Sequence, residues 1–172
     1  FVKEVYGEDA DLELYGADVY DRAVEATRLN LLANGAADFT MIEADMLHDN
    51  TDFSNQQYDL IVGNPPFGGG QCQQFIRRWI GLLKDGGRMV VNVSEGVLAN
   101  TREAELRYWL ANNFEIKAVI NLPRPRDSQQ YGARSNAFFL HKVRPKEGHK
   151  ALLVQMENYA QIGSILDISQ RR

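Results

Sequence analysis

An α/β fold with a mostly parallel sheet is what this 172-residue sequence predicts, and three observations carry the expectation. Short apolar runs rich in β-branched residues alternate with segments of helical period, in the order β-α-β-β-α-β-α-β-β. Three polar residues, Asp18, Asp45 and Asn64, follow successive runs closely, and open α/β sheets bind ligands at the carboxyl ends of their strands. The last long run, Asn136 to Val143, returns after a long connection and is expected as a reversed strand at the edge of the sheet.

Phe1 to Asp11 is short, acidic towards its end, and assigned to no element. Leu12 to Val19 reads as a buried strand ending at Asp18, and a helix from about Tyr20 to Asn34 follows, stopped by Gly35 at its C′ position. An acidic side chain that ends a strand and opens a helix suits helix capping, and it is also how Rossmann-like folds grip ribose hydroxyls. Phe39 to Glu43 is the next strand, with Ala44-Asp45-Met46 beyond it. Tyr58 to Gly63 is a fully buried strand that runs into the turn-rich cluster NPPFGGG. From Cys72 to Leu83 the apolar residues Phe75, Ile76, Trp79, Ile80, Leu82 and Leu83 form a helical stripe for core packing, ended by Asp85-Gly86-Gly87. Arg88 to Val93 is another buried strand. A helix from Arg102 to Asn112 begins with Asn100 or Thr101 as N-cap. Strands follow at Ile116 to Leu122, Asn136 to Val143 and Ala151 to Met156. The connection PRPRDSQQYGARS is basic, lacks an apolar period and exceeds ordinary loop lengths, which often marks function.

The chemistry is concentrated in Asn64 to Phe67. Pro65 and Pro66 have fixed φ and no amide hydrogen, and a residue before proline is pushed towards an extended conformation. The backbone is therefore stiff and rich in acceptors. The Asn64 side-chain oxygen and the Pro65 carbonyl together suit both hydrogens of a flat exocyclic amine. Phe67 offers a face for the ring that carries the amine, as when a base is flipped into an enzyme pocket. Gly68, Gly69 and Gly70 give the following loop its backbone freedom.

Asn-Pro-Pro-Phe after a buried strand resembles the amino-methyltransferase motif of S-adenosylmethionine-dependent enzymes that methylate adenine N6. From about Leu12 onward the chain most resembles the modification subunits of type I restriction systems and related N6-adenine DNA methyltransferases. The same four letters also occur in enzymes that methylate guanine N2 in ribosomal RNA or glutamine amides in proteins.

The resemblance implies a Rossmann-like methyltransferase fold, S-adenosylmethionine as cofactor and adenine in DNA as acceptor. Asn64, Pro65, Pro66 and Phe67 would form the catalytic motif. Asp18, in GADVYDRAVEATRLNL, would take the cofactor ribose with Val19 beside it. Asp45 would accept a hydrogen bond from the cofactor's adenine amino group, with Met46 against the ring, and Asn64 would border the cofactor as well. Ser94-Glu95-Gly96-Val97-Leu98 resembles a segment that lines the methylation pocket in the family, with Ser94 and Glu95 as supporting residues. Tyr131-Gly132 before the strand at Asn136 also fits the type I subunits. Phe67, Arg124, Arg126, Tyr131 and Arg134 are then candidates for contact with the target base or the DNA backbone.

The family's glycine-rich first motif should lie upstream of Asp18, yet no G-x-G segment occurs between Phe1 and Asp11. The expectation is a fragment beginning past the first strand and its glycine loop, with residues 1–172 forming one catalytic domain. No target-recognition domain is visible, so a specificity subunit or further domains are expected to supply sequence recognition. Two alternatives stay open: methyl transfer to ribosomal RNA or a protein glutamine, and a non-catalytic DNA-binding or assembly module.

Composition agrees with an ordinary globular domain: 44% hydrophobic and 24% charged residues leave no case for disorder. No apolar run approaches bilayer length and no signal peptide is visible at Phe1, so the expectation is a cytoplasmic protein without a membrane partner. Cys72 is the only cysteine, which excludes an internal disulfide, and His48, His141 and His149 lack metal-ligand spacing. The net charge of −4 is unevenly spread: residues 1–115 hold 9 Lys/Arg against 19 Asp/Glu (−10), and residues 116–172 hold 10 against 4 (+6). A basic last third is what a phosphate backbone would require, although a solvated surface would also account for it.

Overall fold

The computed structural model describes residues 12–48, 52–67, 70–123 and 134–156, which belong to two compact units divided between Gln56 and Gln57. The first unit contains β1 (Leu14–Asp18), α1 (Asp21–Ala33), β2 (Phe39–Glu43) and a short 3-10 turn at Asp52–Asn55. β1 and β2 pair in parallel, with Leu14 opposite Phe39 and Asp18 opposite Glu43. Gly35 ends α1 as its sequence position predicts: its φ is +74°, a conformation open to glycine at little cost. The Gly35 N–H donates to the Leu32 carbonyl and the Ala36 N–H to the Leu31 carbonyl, both at 3.0 Å, the pairing of a Schellman motif. Val24, Ala44 and Phe53 are buried, and Tyr15 meets Phe53 edge-on with ring centroids 5.3 Å apart.

The second unit contains β3 (Tyr58–Gly63), α2 (Gln71–Leu82), β4 (Leu83–Ser94), α3 (Glu95–Ala99), a 3-10 turn (Thr101–Glu103), α4 (Ala104–Asn113), β5 (Glu115–Asn121), β6 (Ser135–His141) and β7 (Leu152–Gln155). Its sheet has the order β3-β4-β6-β5-β7. β3 is parallel to β4 and β5 to β7, while β6 runs antiparallel to both β4 and β5. The α/β class and the mixed sheet are as expected, but the reversed strand is not at the edge. It is interior, paired with β4 along one side and β5 along the other, and its alternate residues Asn136, Phe138 and Leu140 are buried while those between them are half-buried. Short β7, with Leu152 and Leu153 exposed, takes the edge.

A second difference lies at the start of β4. The strand begins at Leu83 rather than Arg88, because Tyr58 pairs with Leu83 and the register then slips so that Leu60 pairs with Arg88. Asp85-Gly86-Gly87 occupies the slip, with Gly86 at φ +78°. The glycines that look like a helix stop thus form a bulge inside a strand. Asn100 caps no N–H with its side chain. Instead the Arg107 guanidinium donates to the carbonyls of Val97 and Asn100, at 3.0 and 2.8 Å.

The core packs α2 and α4 on one face of this sheet through Cys72, Ile76, Ile80, Met89, Val91, Val93, Leu106, Leu110, Phe138 and Leu140. Each fully buried aliphatic side chain of this size stabilises the fold by about 1.5–3 kcal/mol. Burial also pushes the Cys72 thiol up to about 11, so it is an inert core residue. Among the described residues no helix is long and apolar enough to cross a membrane, and no group of His, Cys, Asp and Glu could hold a metal ion.

Candidate active site

Two turns of the first unit carry carboxylates. Asp18 ends β1, and one of its oxygens accepts the Tyr20 backbone N–H at 2.9 Å, an Asx-type turn that sets the chain up for α1. Tyr20, not Asp18, is the N-cap of that helix, and it makes no side-chain capping bond. An ionised carboxylate has about four lone-pair sites, so Asp18 keeps acceptor capacity for hydroxyl groups. Val19 beside it is exposed.

Asp45 lies two residues beyond β2. The Ala44 N–H donates to the Asp18 carbonyl at 3.0 Å, so both carboxylates stand at the carboxyl edge of the β1–β2 pair. Asp45 accepts the Leu47 N–H through Oδ1 at 2.8 Å and meets His48 Nδ1 through Oδ2 at 2.8 Å. The bond with His48, then the Leu47 N–H, holds the Asp45 carboxyl below the usual aspartate range. It therefore remains an acceptor, as a partner amino group requires. Met46 is half-buried next to it. Acceptors of this kind, on adjacent strand ends, suit the hydroxyl and amino groups of an adenosine moiety.

The Asn-Pro-Pro-Phe turn follows β3 in the second unit. Gly63, the last residue of β3, lies against the Trp79 ring of α2 so closely that a Cβ there would come within 2.2 Å of it. Only glycine lets the strand and helix approach at this level. Immediately beyond, Asn64 is exposed and Pro65 buried. Asn64 Oδ1 accepts a hydrogen bond from Asn92 Nδ2 at 3.0 Å. Phe67 is 42% exposed. Gly70, with φ +73°, opens α2. The turn thus presents an amide oxygen and an aromatic ring at the end of a parallel strand, where a planar ring with an exocyclic amine could be held by both.

Within the second unit, a further polar cluster lies over β5, β6 and β7. Glu95, Asn121, Arg134, Asn136 and Gln155 line an open cleft of about 360 Å³. The Arg134 carbonyl accepts the Glu95 N–H at 2.9 Å, and Asn121 Nδ2 donates to Asn136 Oδ1 at 3.0 Å. Arg134 and Glu95, both named from the sequence, therefore meet. Arg124, Arg126 and Tyr131 lie outside the described residues, as do Gly68, Gly69 and Phe1 to Asp11. Sequence reasoning missed Asn92, Asn121, Asn136 and the Gly63–Trp79 contact. The one available signal was an asparagine inside the apolar run Met89-Val90-Val91-Asn92-Val93, since a polar group in a buried strand needs a partner.

The structure superposes on one described as the modification subunit of a type I restriction enzyme from Vibrio vulnificus, with 20% identity and a TM-score of 0.67, covering 92% of this chain and 41% of that one. A protein described as a class I S-adenosylmethionine-dependent methyltransferase from Listeria monocytogenes gives a TM-score of 0.76 at 18% identity, covering 99% and 58%. An rRNA methylase from Streptococcus thermophilus gives 0.52 at 18%, covering 77% and 74%. This chain thus spans less than two thirds of the length of the first two proteins. At these identities the superpositions establish the fold, a Rossmann-like one. No curated protein matches the sequence. Residues 4–117, more than half of the sequence, match the methyltransferase small domain, and the chain belongs to that family.

Proposed function

We propose that this chain is the catalytic domain of an S-adenosylmethionine-dependent methyltransferase that modifies N6 of adenine in DNA, as part of a restriction-modification or related system. The observation that carries the reading is the exposed Asn64 amide, its oxygen held by Asn92 at 3.0 Å beside the exposed ring of Phe67. Asn64 Oδ1 and the Pro65 carbonyl accept the two amine hydrogens, which draws electron density onto nitrogen and aims its lone pair. Phe67 stacks on the flipped base. Asp18 takes the ribose hydroxyls of the cofactor, Asp45 its adenine amino group, and Val19 and Met46 flank them. When bound, S-adenosylmethionine supplies an electrophilic methyl group on a sulfonium that leaves as a neutral thioether. The amine nitrogen, held by Asn64 and Pro65, would accept that methyl group and release its extra proton to solvent. The residues named need do no covalent chemistry, so the rate gain on the protein's side comes from positioning.

DNA is the favoured acceptor because the basic last third of the sequence follows the base-binding turn, and Arg134 stands at the same sheet edge. A specificity subunit or further domains would supply sequence recognition. The test is transfer of labelled methyl to double-stranded DNA, RNA and protein by the native-length protein, followed by nucleoside analysis. Label in N6-methyladenine from DNA, reduced at least about 100-fold in Asn64→Ala with the fold retained, is the expected result. Label confined to RNA or protein would move the acceptor to ribosomal RNA or glutamine, and near-full activity in Asn64→Ala would sink the mechanism.

A further inference from the structure

Asn92 sits in β4 where the sequence offers no reason to interrupt an apolar run. Successive side chains on a strand face opposite sides. Met89, Val91 and Val93 enter the core, whereas Arg88, Val90 and Asn92 share the other face. The register pairs Leu60 with Arg88 and Val62 with Val90, so one step further along the two parallel strands brings Asn64 beside Asn92. The hydrogen bond between their side chains is the outcome of that register.

A carboxamide is nearly symmetric in shape, and its two ends differ only in that one accepts and the other donates. Left alone, the Asn64 amide would populate both orientations. The inverted one points an NH2 group at the incoming amine, donor against donor. Asn92 removes this ambiguity, because its own orientation has a physical cause. With Asn92 donating, its Oδ1 is left buried without a partner, as observed. The inverse arrangement would leave a buried NH2 instead, and an unpaired buried N–H is the rarer and costlier defect.

We propose that Asn92 is a positioning residue that locks the Asn64 amide with its oxygen towards the acceptor amine. One lone pair of Asn64 Oδ1 takes the Asn92 N–H, and the second remains for the substrate. This rests on the reading that Asn64 holds the amine that is methylated. It concerns orientation and not binding, so its signature is a loss in kcat with little change in substrate or cofactor affinity.

The deciding variant is Asn92→Asp, which keeps the shape and replaces the donor with an acceptor. Its oxygens face Asn64 Oδ1 and drive the amide to turn. In the native-length protein kcat should fall by about 100-fold, while the KM for DNA and the dissociation constant of S-adenosylmethionine stay within about threefold. Asn92→Leu, which neither donates nor accepts, leaves the amide to choose and should cost about tenfold in kcat. A purely structural role predicts a different order, with losses that track thermal stability. The proposal is overturned if Asn92→Asp keeps its kcat within twofold of wild type, or if kcat falls only as the folded fraction falls. Side-chain amide exchange in 15N-labelled protein separates the two layers of the argument, since it needs no turnover. The Asn92 NH2 protons should exchange faster in Asn64→Ala. Faster exchange in Asn64→Ala, with no methyl transfer to DNA by the wild-type protein, would remove the proposed function and leave the contact standing, whereas wild-type transfer with unchanged exchange in Asn64→Ala would remove this proposal alone.

Discussion

The turns after β1 and β2 hold their acceptors by local means, and the turn after β3 does not. Asp18 and Asp45 each take a backbone N–H from two residues further on, at 2.9 and 2.8 Å. Asn64 is oriented by Asn92, 28 positions away, and the backbone before it is fixed by the Trp79 ring pressed on Gly63. The carboxylates can be held loosely because either oxygen accepts equally well. An amide cannot, since half of its orientations present the wrong atom. Chemical symmetry, more than distance from the reaction, decides how much scaffolding a side chain needs.

The largest effect expected from this contrast is at Gly63. Gly63→Ala places a methyl group where the Trp79 ring stands, and overpacking of this kind costs about 1–3 kcal/mol. Thermal unfolding should report the loss, and methyl transfer should fall beyond it because Asn64 moves with the strand end. Trp79→Leu in the same chain should restore much of the stability. An unchanged melting temperature in Gly63→Ala would show that the strand end is not pinned by the ring.

A smaller effect is expected at Asp18. Asp18→Asn keeps an acceptor for the Tyr20 N–H and removes the charge, so cofactor affinity should drop about tenfold with stability unchanged. Asp18→Ala also forfeits the turn, at a further cost of about 1 kcal/mol. Calorimetric titration and thermal melts separate the two, and equal stability in both variants would show that the turn does not depend on its aspartate.

The smallest effect serves as a control for non-local holding away from the site. Glu115 starts β5, at the opposite end from Asn121, with Lys117, His141 and His149 about its carboxylate. The Lys117 ammonium is the main cause that holds its carboxyl below the ordinary value of 4.5. A depressed carboxylate stabilises the folded state above that ordinary value, and the contribution is lost as pH falls through the lower folded one. The melting temperature should therefore drop on acidification below 4.5 by more in the wild type than in Glu115→Gln, with methyl transfer at neutral pH equal in both. A loss of transfer in Glu115→Gln would break the distinction between the two ends of β5.

Much of this was legible in the sequence, for identifiable reasons. The ends of β2 and β3 and the stop of α1 at Gly35 follow from apolar period and backbone chemistry within a few residues. The acceptor residues were visible as polar groups after strands. What could not be read was whatever depends on register between distant segments. That covers the Asn64–Asn92 bond, the Asn121–Asn136 bond, the bulge at Asp85-Gly86-Gly87 and the interior place of β6. A glycine before Asn-Pro-Pro-Phe reads as turn chemistry, and nothing local shows that an indole ring occupies the space of its missing side chain.

The interior position of β6 also bears on how the protein comes to be folded. β4 and β5 are complete by Asn121, yet the strand that joins them begins only at Ser135. Until it arrives, each presents a long unpaired edge carrying an apolar face, the template on which chains pair wrongly with one another. Sheet closure waits on a late, sequence-distant strand, and such non-local pairings slow folding. Substitutions that weaken Phe138 or Leu140 should therefore show first as aggregation during synthesis at elevated temperature, before any defect is measurable in protein that has already folded.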